Sequence, residues 1–197
     1  MIEHRVGTIE DLDQIYASYA AEFPENERKS IGQLKHLMAG GKYHLIIFED
    51  KGFAFIYADD KAFVWLDYLV IHRPYQGQGY GSIFFNQLLE VFHQADMMFI
   101  EVEIPDGIDI NKDRRIRYYE NLGCVRLPLK YALPIEKGAL PMFLYSKGQL
   151  PDAATVYEAI REVFQYVHHD NAFWSRIYEQ IVRQSPNFSA ELGEIFI

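Results

Sequence analysis

Blocks in which apolar residues recur every third or fourth position alternate along the chain with blocks in which they run together between turn residues, which predicts a mixed α/β domain. Thr8 and Asp11 stand just before Leu12, Ile15 and Tyr16. A hydroxyl and a carboxylate there can take the orphan amides of a first helix, which ends near Phe23-Pro24. After the polar stretch Glu25 to Lys29, Ser30 and Gln33 repeat the capping signal, and Ile31, Leu34, Leu37 and Met38 keep helical spacing as far as Gly40-Gly41. Three strand-like runs follow: Tyr43 to Glu49, Gly52 to Ala58 and Ala62 to Ile71. The turns between them, Asp50-Lys51-Gly52 and Asp59-Asp60-Lys61, are short enough to make an antiparallel meander.

From Gly79 the period becomes helical again, with Ile83, Phe84, Leu88, Val91 and Phe92 in one stripe, and leads to a strand from Met97 to Ile104. A helix from about Asn111 to Leu122 is stopped by Gly123, and shorter extended runs cover Cys124 to Leu127 and Pro141 to Ser146. These elements complete an expected domain over residues 1–147. Residues 148–197 read as a helical extension. Pro151 is placed for a first helical turn, Val156, Ile160, Val163, Phe164 and Val167 form one apolar face, and Phe173, Ile177 and Ile181 mark a further helix that ends at Ser185-Pro186. Two such faces need a partner: their own core, a substrate cleft of the domain, or a second copy in a homodimer.

The 197 residues are 49% hydrophobic and 24% charged, enough apolar material for a buried core. Nineteen Lys and Arg against 28 Asp and Glu give a net charge of -9, which argues against a nucleic-acid binder working through a broad basic face. The one cysteine, Cys124, excludes an intrachain disulfide and a cysteine-rich zinc site. No secretory pattern opens the chain, and its apolar runs are too short to span a membrane as a helix. The expectation is a cytoplasmic protein without nucleic-acid or membrane partners.

The chemistry concentrates after the third strand, where Ile71 is followed by His72-Arg-Pro-Tyr-Gln76-Gly-Gln-Gly79-Tyr-Gly81 and then by the amphipathic helix. A glycine-rich turn from strand to helix aims several backbone N–H groups at one point, adds the helix dipole, and lets a phosphate approach closely. The same glycines also serve a tight turn without any ligand. Gln76, Gly79 and Gly81, with Ile71 eight residues before Gly79, resemble the signature of the GNAT superfamily of acyl-CoA-dependent N-acetyltransferases. The resemblance implies a mixed, mostly antiparallel sheet flanked by helices and acetyl-CoA as cofactor. It implies that Gln76, Gly77, Gln78, Gly79, Tyr80, Gly81 and Ser82 hold the pyrophosphate and that Leu69, Val70 and Ile71 pair with the pantetheine arm. A second stretch, Arg117-Tyr118-Tyr119-Glu120-Asn121-Leu122-Gly123-Cys124, is similar to the family segment whose tyrosine protonates the departing thiolate, which implies that role for Tyr119. Cys124 stands where that segment commonly has Phe, and Lys112 where Asn is frequent, with Asn111 one residue earlier as the cofactor-contact candidate.

An amine must be neutral to attack, so its proton needs an acceptor. Strand alternation puts Trp65, Asp67, Leu69 and Ile71 on one face, and Phe99, Glu101 and Glu103 on another, which makes the three carboxylates candidate bases. Each could instead pair with Arg114, Arg115 or Arg117. The cluster Lys112, Arg114, Arg115 and Arg117 could meet an adenosine 3′-phosphate or form a solvated face. Cys124 as a nucleophile lacks a Cys/His arrangement, and adjacent His168 and His169 point apart on a helix, so no metal site is expected. The leading reading is acetyl transfer to a primary amine of a small molecule or protein. A non-catalytic acyl-CoA sensor is the alternative. A dinucleotide oxidoreductase using Gly77, Gly79 and Glu101 is opposed by its third glycine coming one residue early.

Overall fold

A computed structural model describes residues 3–25, 27–59, 62–136 and 138–194. Asn26 in the polar connection and Asp60 and Lys61 in the second turn of the meander lie outside these residues. The chain resolves into two compact units, residues 1–95 and 96–197.

In the first unit both predicted caps close as reciprocal capping boxes, Thr8 with Asp11 ahead of α1 (Ile9–Glu22) and Ser30 with Gln33 ahead of α2 (Ile31–Ala39). Four strands, β1 (Arg5–Val6), β2 (Tyr43–Phe48), β3 (Gly52–Ala58) and β4 (Phe63–Ile71), pair antiparallel in chain order. The predicted meander is therefore present. A single 3-10 turn, Arg73–Tyr75, follows β4, and α3 (Tyr80–Val91) packs against that strand. Phe84 of α3 stacks on Phe48 of β2 with ring centroids 4.3 Å apart, fixing the helix over the sheet. The predicted stripe of α3 is partly corrected: Ile83 is 42% exposed, while Phe85 and Gln87 are buried.

Alternation along β4 also needs correction. Phe55 faces Tyr68 and Ile56 faces Leu66, so Asp67 is the extra residue of a β-bulge. The partners on β3 then divide β4 into Trp65, Tyr68 and Val70 on one face and Leu66, Leu69 and Ile71 on the other. Trp65 does not share a face with Leu69 and Ile71, because the extra residue shifts the two-residue period by one.

The second unit is organised by β8 (Gly138–Gly148), which pairs antiparallel with β5 (Met97–Glu103), β6 (Val125–Arg126) and β7 (Tyr131–Ile135). Met142 faces both Glu103 and Tyr131, and Ser146 faces both Phe99 and Val125. Thus β5 lies along one edge of β8, and β6 and β7 along the other. Strand β7 and the first residues of β8 go beyond the prediction. Pro134 and Pro141 weaken the strand signal there but are tolerated where the missing N–H faces away from the ladder. Between β5 and β6, α4 (Ile110–Asn121) is capped by Asp109 and followed by Gly123 in a left-handed conformation.

Helices α5 (Ala153–Val167), α6 (Trp174–Gln184) and α7 (Phe188–Glu194) belong to this second unit. The α5 face is buried as predicted, but Asp152 is its cap and Pro151 lies one residue earlier, outside the first turn. Phe173 is the half-exposed cap position of α6 rather than part of its buried face, and α7, which buries Phe188 and Leu192, was not anticipated. Asn171 donates to the Ile135 carbonyl at 2.8 Å, and the Lys130 amide donates to the Ser185 hydroxyl at 2.9 Å. Tyr131 of β7 also meets Phe164 of α5 with ring centroids 6.0 Å apart, and α6 packs against β7, so the apolar faces of these helices are covered at least in part by that strand. No helix among the described residues is long and apolar enough to cross a membrane.

Candidate active site

The turn after β4 is exposed from Gln76 to Gly79 and shaped by two glycines, Gly77 at φ 73° and Gly79 at φ 85°. Any L side chain is strained there, although a Cβ at either position would meet nothing within 4 Å. The glycines thus serve backbone shape, and they leave open space above it. Gly79 is also the cap position of α3, and no side chain among the described residues caps that helix. Its first amides, at Tyr80, Gly81 and Ser82, precede the first intrahelical donor, Ile83, which reaches the Gly79 carbonyl at 3.2 Å. An anion is the ligand such donors suit. The donor chemistry and the empty Cβ positions fit a pyrophosphate.

Two glutamines hold the turn. Gln76 donates to the Ile71 carbonyl and Gln78 to the Pro74 carbonyl, each at 2.7 Å. Gln76 therefore acts through the backbone, bracing the strand end that carries Leu69, Val70 and Ile71. His72 adds a bond between Nδ1 and the Ser18 hydroxyl at 3.3 Å, tying the turn to α1.

Asp67 occupies the bulge with its side chain only 6% exposed. Its Oδ2 accepts from Lys29 Nζ at 2.8 Å and from the Tyr43 hydroxyl. Burial first, and then the Asp67 charge, push the Tyr43 phenol well above its usual value, so it remains a donor. Sequence reasoning did not find Lys29. It lies 38 residues from Asp67, and no local spacing announces the pair.

In the second unit, Glu101 accepts from the Tyr131 hydroxyl. Glu103 is bound by Arg115 and approached by Lys112 at 3.9 Å. Lys112 also reaches Asp106 at 2.9 Å, so part of the basic cluster does pair with neighbouring acids. Arg114 and Arg117 are exposed. Arg115 brings Glu103 to α4 one turn before Tyr119. Tyr119 is half-buried, and desolvation, reinforced by Tyr118 and Cys124, raises its phenol well above the ordinary value. It stays protonated at neutral pH, the state a proton donor needs. Asn111 is exposed and turned onto its own helix cap, with Nδ2 donating to Asp109 at 2.9 Å.

Cys124 is buried, and desolvation pushes its thiol up to about 12. Relative to a thiol at the reference value of 9.0, its thiolate population at pH 8 is lower by about a thousandfold. Alkylation of the native protein at pH 8 should therefore be markedly slower than that of the denatured chain, even though a thiolate of higher pKa is the better nucleophile. Equal rates would show that the thiol is not held as described. His169 contacts Asp170 at 3.0 Å, and no group of three or more metal-binding side chains occurs among the described residues.

A Bacillus subtilis (strain 168) protein named "Putative acetyltransferase YjbC" is 23% identical over 185 residues, spanning 84% of this chain and 88% of its own. A solved structure described as "Putative acetyltransferase from GNAT family from Bacteroides thetaiotaomicron" superposes with a TM-score of 0.70 at 26% identity, over 83% of this chain and 96% of that one. Arabidopsis thaliana Naa50, solved with the bisubstrate analogue CoA-Ac-MVNAL, shares the fold at a TM-score of 0.54 and 18% identity, over 75% and 99% of the two chains. Residues 10–124, which carry the bulged strand, the uncapped glycine turn and Tyr119, match the Acetyltransferase (GNAT) family, and the chain belongs to that family.

Proposed function

We propose that the protein is an N-acetyltransferase that transfers an acetyl group from acetyl-CoA to a primary amine by direct attack. The observation that carries this reading is the uncapped, left-handed glycine turn at the start of α3. Acetyl-CoA supplies, when bound, a thioester carbonyl open to an amine lone pair. The amides from Gly77 to Ser82 serve to hold its pyrophosphate, and the strand end Leu69–Ile71 offers main-chain groups to its arm. Tyr119 holds the proton that a leaving thiolate requires. Asp67, Glu101 or Glu103, directly or through water, accepts the proton of the acceptor ammonium. The net charge of -9 favours encounter with a cationic amine, of a small molecule or a protein. The Naa50 complex, whose ligand joins CoA to a peptide, supports the general class of acceptor. A cytoplasmic location accords with the single, buried cysteine.

Calorimetric titration with acetyl-CoA, NAD and NADH tests the reading directly. Micromolar binding of acetyl-CoA alone is the expected result. Binding of a nicotinamide dinucleotide instead would overturn it. Tyr119→Phe should lower turnover by about 10² to 10⁴ with acetyl-CoA affinity unchanged, as removal of a general acid does. Unchanged turnover would remove Tyr119 from its role. Glu101→Gln and Glu103→Gln, compared in the same assay, separate the two acids of β5: the variant that loses the acidic limb of the pH–rate profile identifies the proton acceptor.

A further inference from the structure

Lys29 and Asp67 bury a charge pair where two apolar side chains would do as well for stability. The Lys29 side chain is 11% exposed and that of Asp67 is 6% exposed. Desolvating such a pair offsets much of its attraction, so apolar replacement of both partners is often neutral or stabilising. The stability of the fold thus does not account for the pair. Its surroundings do. Lys29 Nζ lies 4.9 Å from the centre of the Tyr68 ring and 3.5 Å from the Tyr68 hydroxyl, which donates to the Glu27 carbonyl at 2.7 Å. The Lys29 amide donates to the Tyr19 hydroxyl at 2.7 Å, and the Tyr19 and Tyr68 rings meet edge to face at 4.9 Å. From β2, Tyr43 reaches the same oxygen of Asp67. Apart from the Lys29–Tyr19 bond, which holds the backbone of Lys29 itself, these contacts converge on Asp67 in the bulge and its neighbour Tyr68. They tie the connection between α1 and α2 to the one place where β4 departs from its ladder.

We propose that Lys29 is a positioning residue: through Asp67 it fixes the bulge of β4 and locks the α1–α2 connection onto it, setting the geometry of the adjoining strand end Leu69–Ile71. The inference rests on the acetyltransferase reading given above. A carboxylate oxygen that already takes an ammonium and a phenol is held in place by both. Asp67 then acts as the anchor of this clamp, and the proton-accepting role falls to Glu101 or Glu103. A lysine suits the place because its ammonium can donate to Asp67 and Tyr68 together while lying over an aromatic face.

The test replaces the pair as a unit, Lys29→Met with Asp67→Leu, which leaves no buried charge uncompensated. Hydrogen exchange at the amides of residues 27–30 and 67–68, acetyl-CoA affinity, the thermal midpoint, and kcat and KM for an amine the unaltered protein acetylates are measured together. The expected result is a midpoint clearly above that of Lys29→Met alone and lowered only by the Tyr43 hydroxyl that loses its acceptor, with exchange at those amides faster by at least about tenfold. With it should come a kcat lower by at least about tenfold, since small misplacements of reacting groups cost rates of this order. Unaltered exchange with unaltered kcat would overturn the inference and leave the pair a packing feature only. Failure of the unaltered protein to bind acetyl-CoA would overturn the acetyltransferase reading instead. The exchange measurement needs no cofactor and would still decide whether the pair locks the connection.

Discussion

A Gly79→Glu protein is expected to retain its fold and to lose acetyl-CoA affinity by at least about a hundredfold, because like charges forced together cost several kcal/mol. Gly79 is exposed, and a Cβ there meets nothing within 4 Å, so the side chain has room. Its carboxylate would stand beside the first free amides of α3, where it would satisfy those donors itself and repel a pyrophosphate. The backbone at φ 85° adds strain for any L residue, about 1 to 2 kcal/mol. Gly79→Ala carries that strain without the charge and separates the two effects. Calorimetry on the three proteins, with thermal midpoints as the control, should show a modest loss for Ala and near-abolition for Glu. Equal losses in both variants would mean that turn shape, rather than an anion at the amides, is what the glycine provides.

Lys29→Met alone should destabilise the protein by about 3 to 5 kcal/mol, the usual cost of stranding one partner of a buried pair. Asp67 keeps the Tyr43 hydroxyl in this variant but loses its countercharge in a site where its side chain is 6% exposed. Urea unfolding measured on the unaltered protein, the single variant and the Met/Leu double variant makes the contrast visible. The double variant should recover most of what the single one loses, because its bulge holds no orphan charge. A single variant as stable as the unaltered protein would show that water reaches Asp67 and compensates it.

Local features of this fold were readable in advance. The capping boxes at Thr8 and Ser30 depend on residues three apart, and the glycine turn carries its backbone requirement in its own composition. The Gly123 stop and the buried face of α5 are likewise properties of contiguous sequence. What stayed hidden depends on distant partners. The bulge exists only in the register of β4 against β3, so strict alternation placed Trp65 with Leu69 and Ile71. Lys29 meets Asp67 across 38 residues, Tyr131 meets Glu101 across 30, and neither pairing leaves a trace in spacing. Strand β7 was masked by Pro134, whose tolerance depends on a missing N–H that faces away from the ladder, which only the assembled sheet reveals.

The extra residue of the β4 bulge also governs how this segment can change over time. Counted by residue number the strand changes phase at Asp67, yet because that residue is bulged out its two halves keep the same two faces. Deleting that codon would leave Trp65, Tyr68 and Val70 on one face and Leu66, Leu69 and Ile71 on the other in plain alternation, and would remove only the carboxylate and the extra twist of the bulge. Loss of a neighbour, by contrast, would exchange the faces of one half of the strand unless the bulge absorbed it. Loss of this position is thus a chemical question, whereas loss of a neighbour is a topological one, and alignments of β4 among divergent relatives should place their single-residue gaps at the bulge.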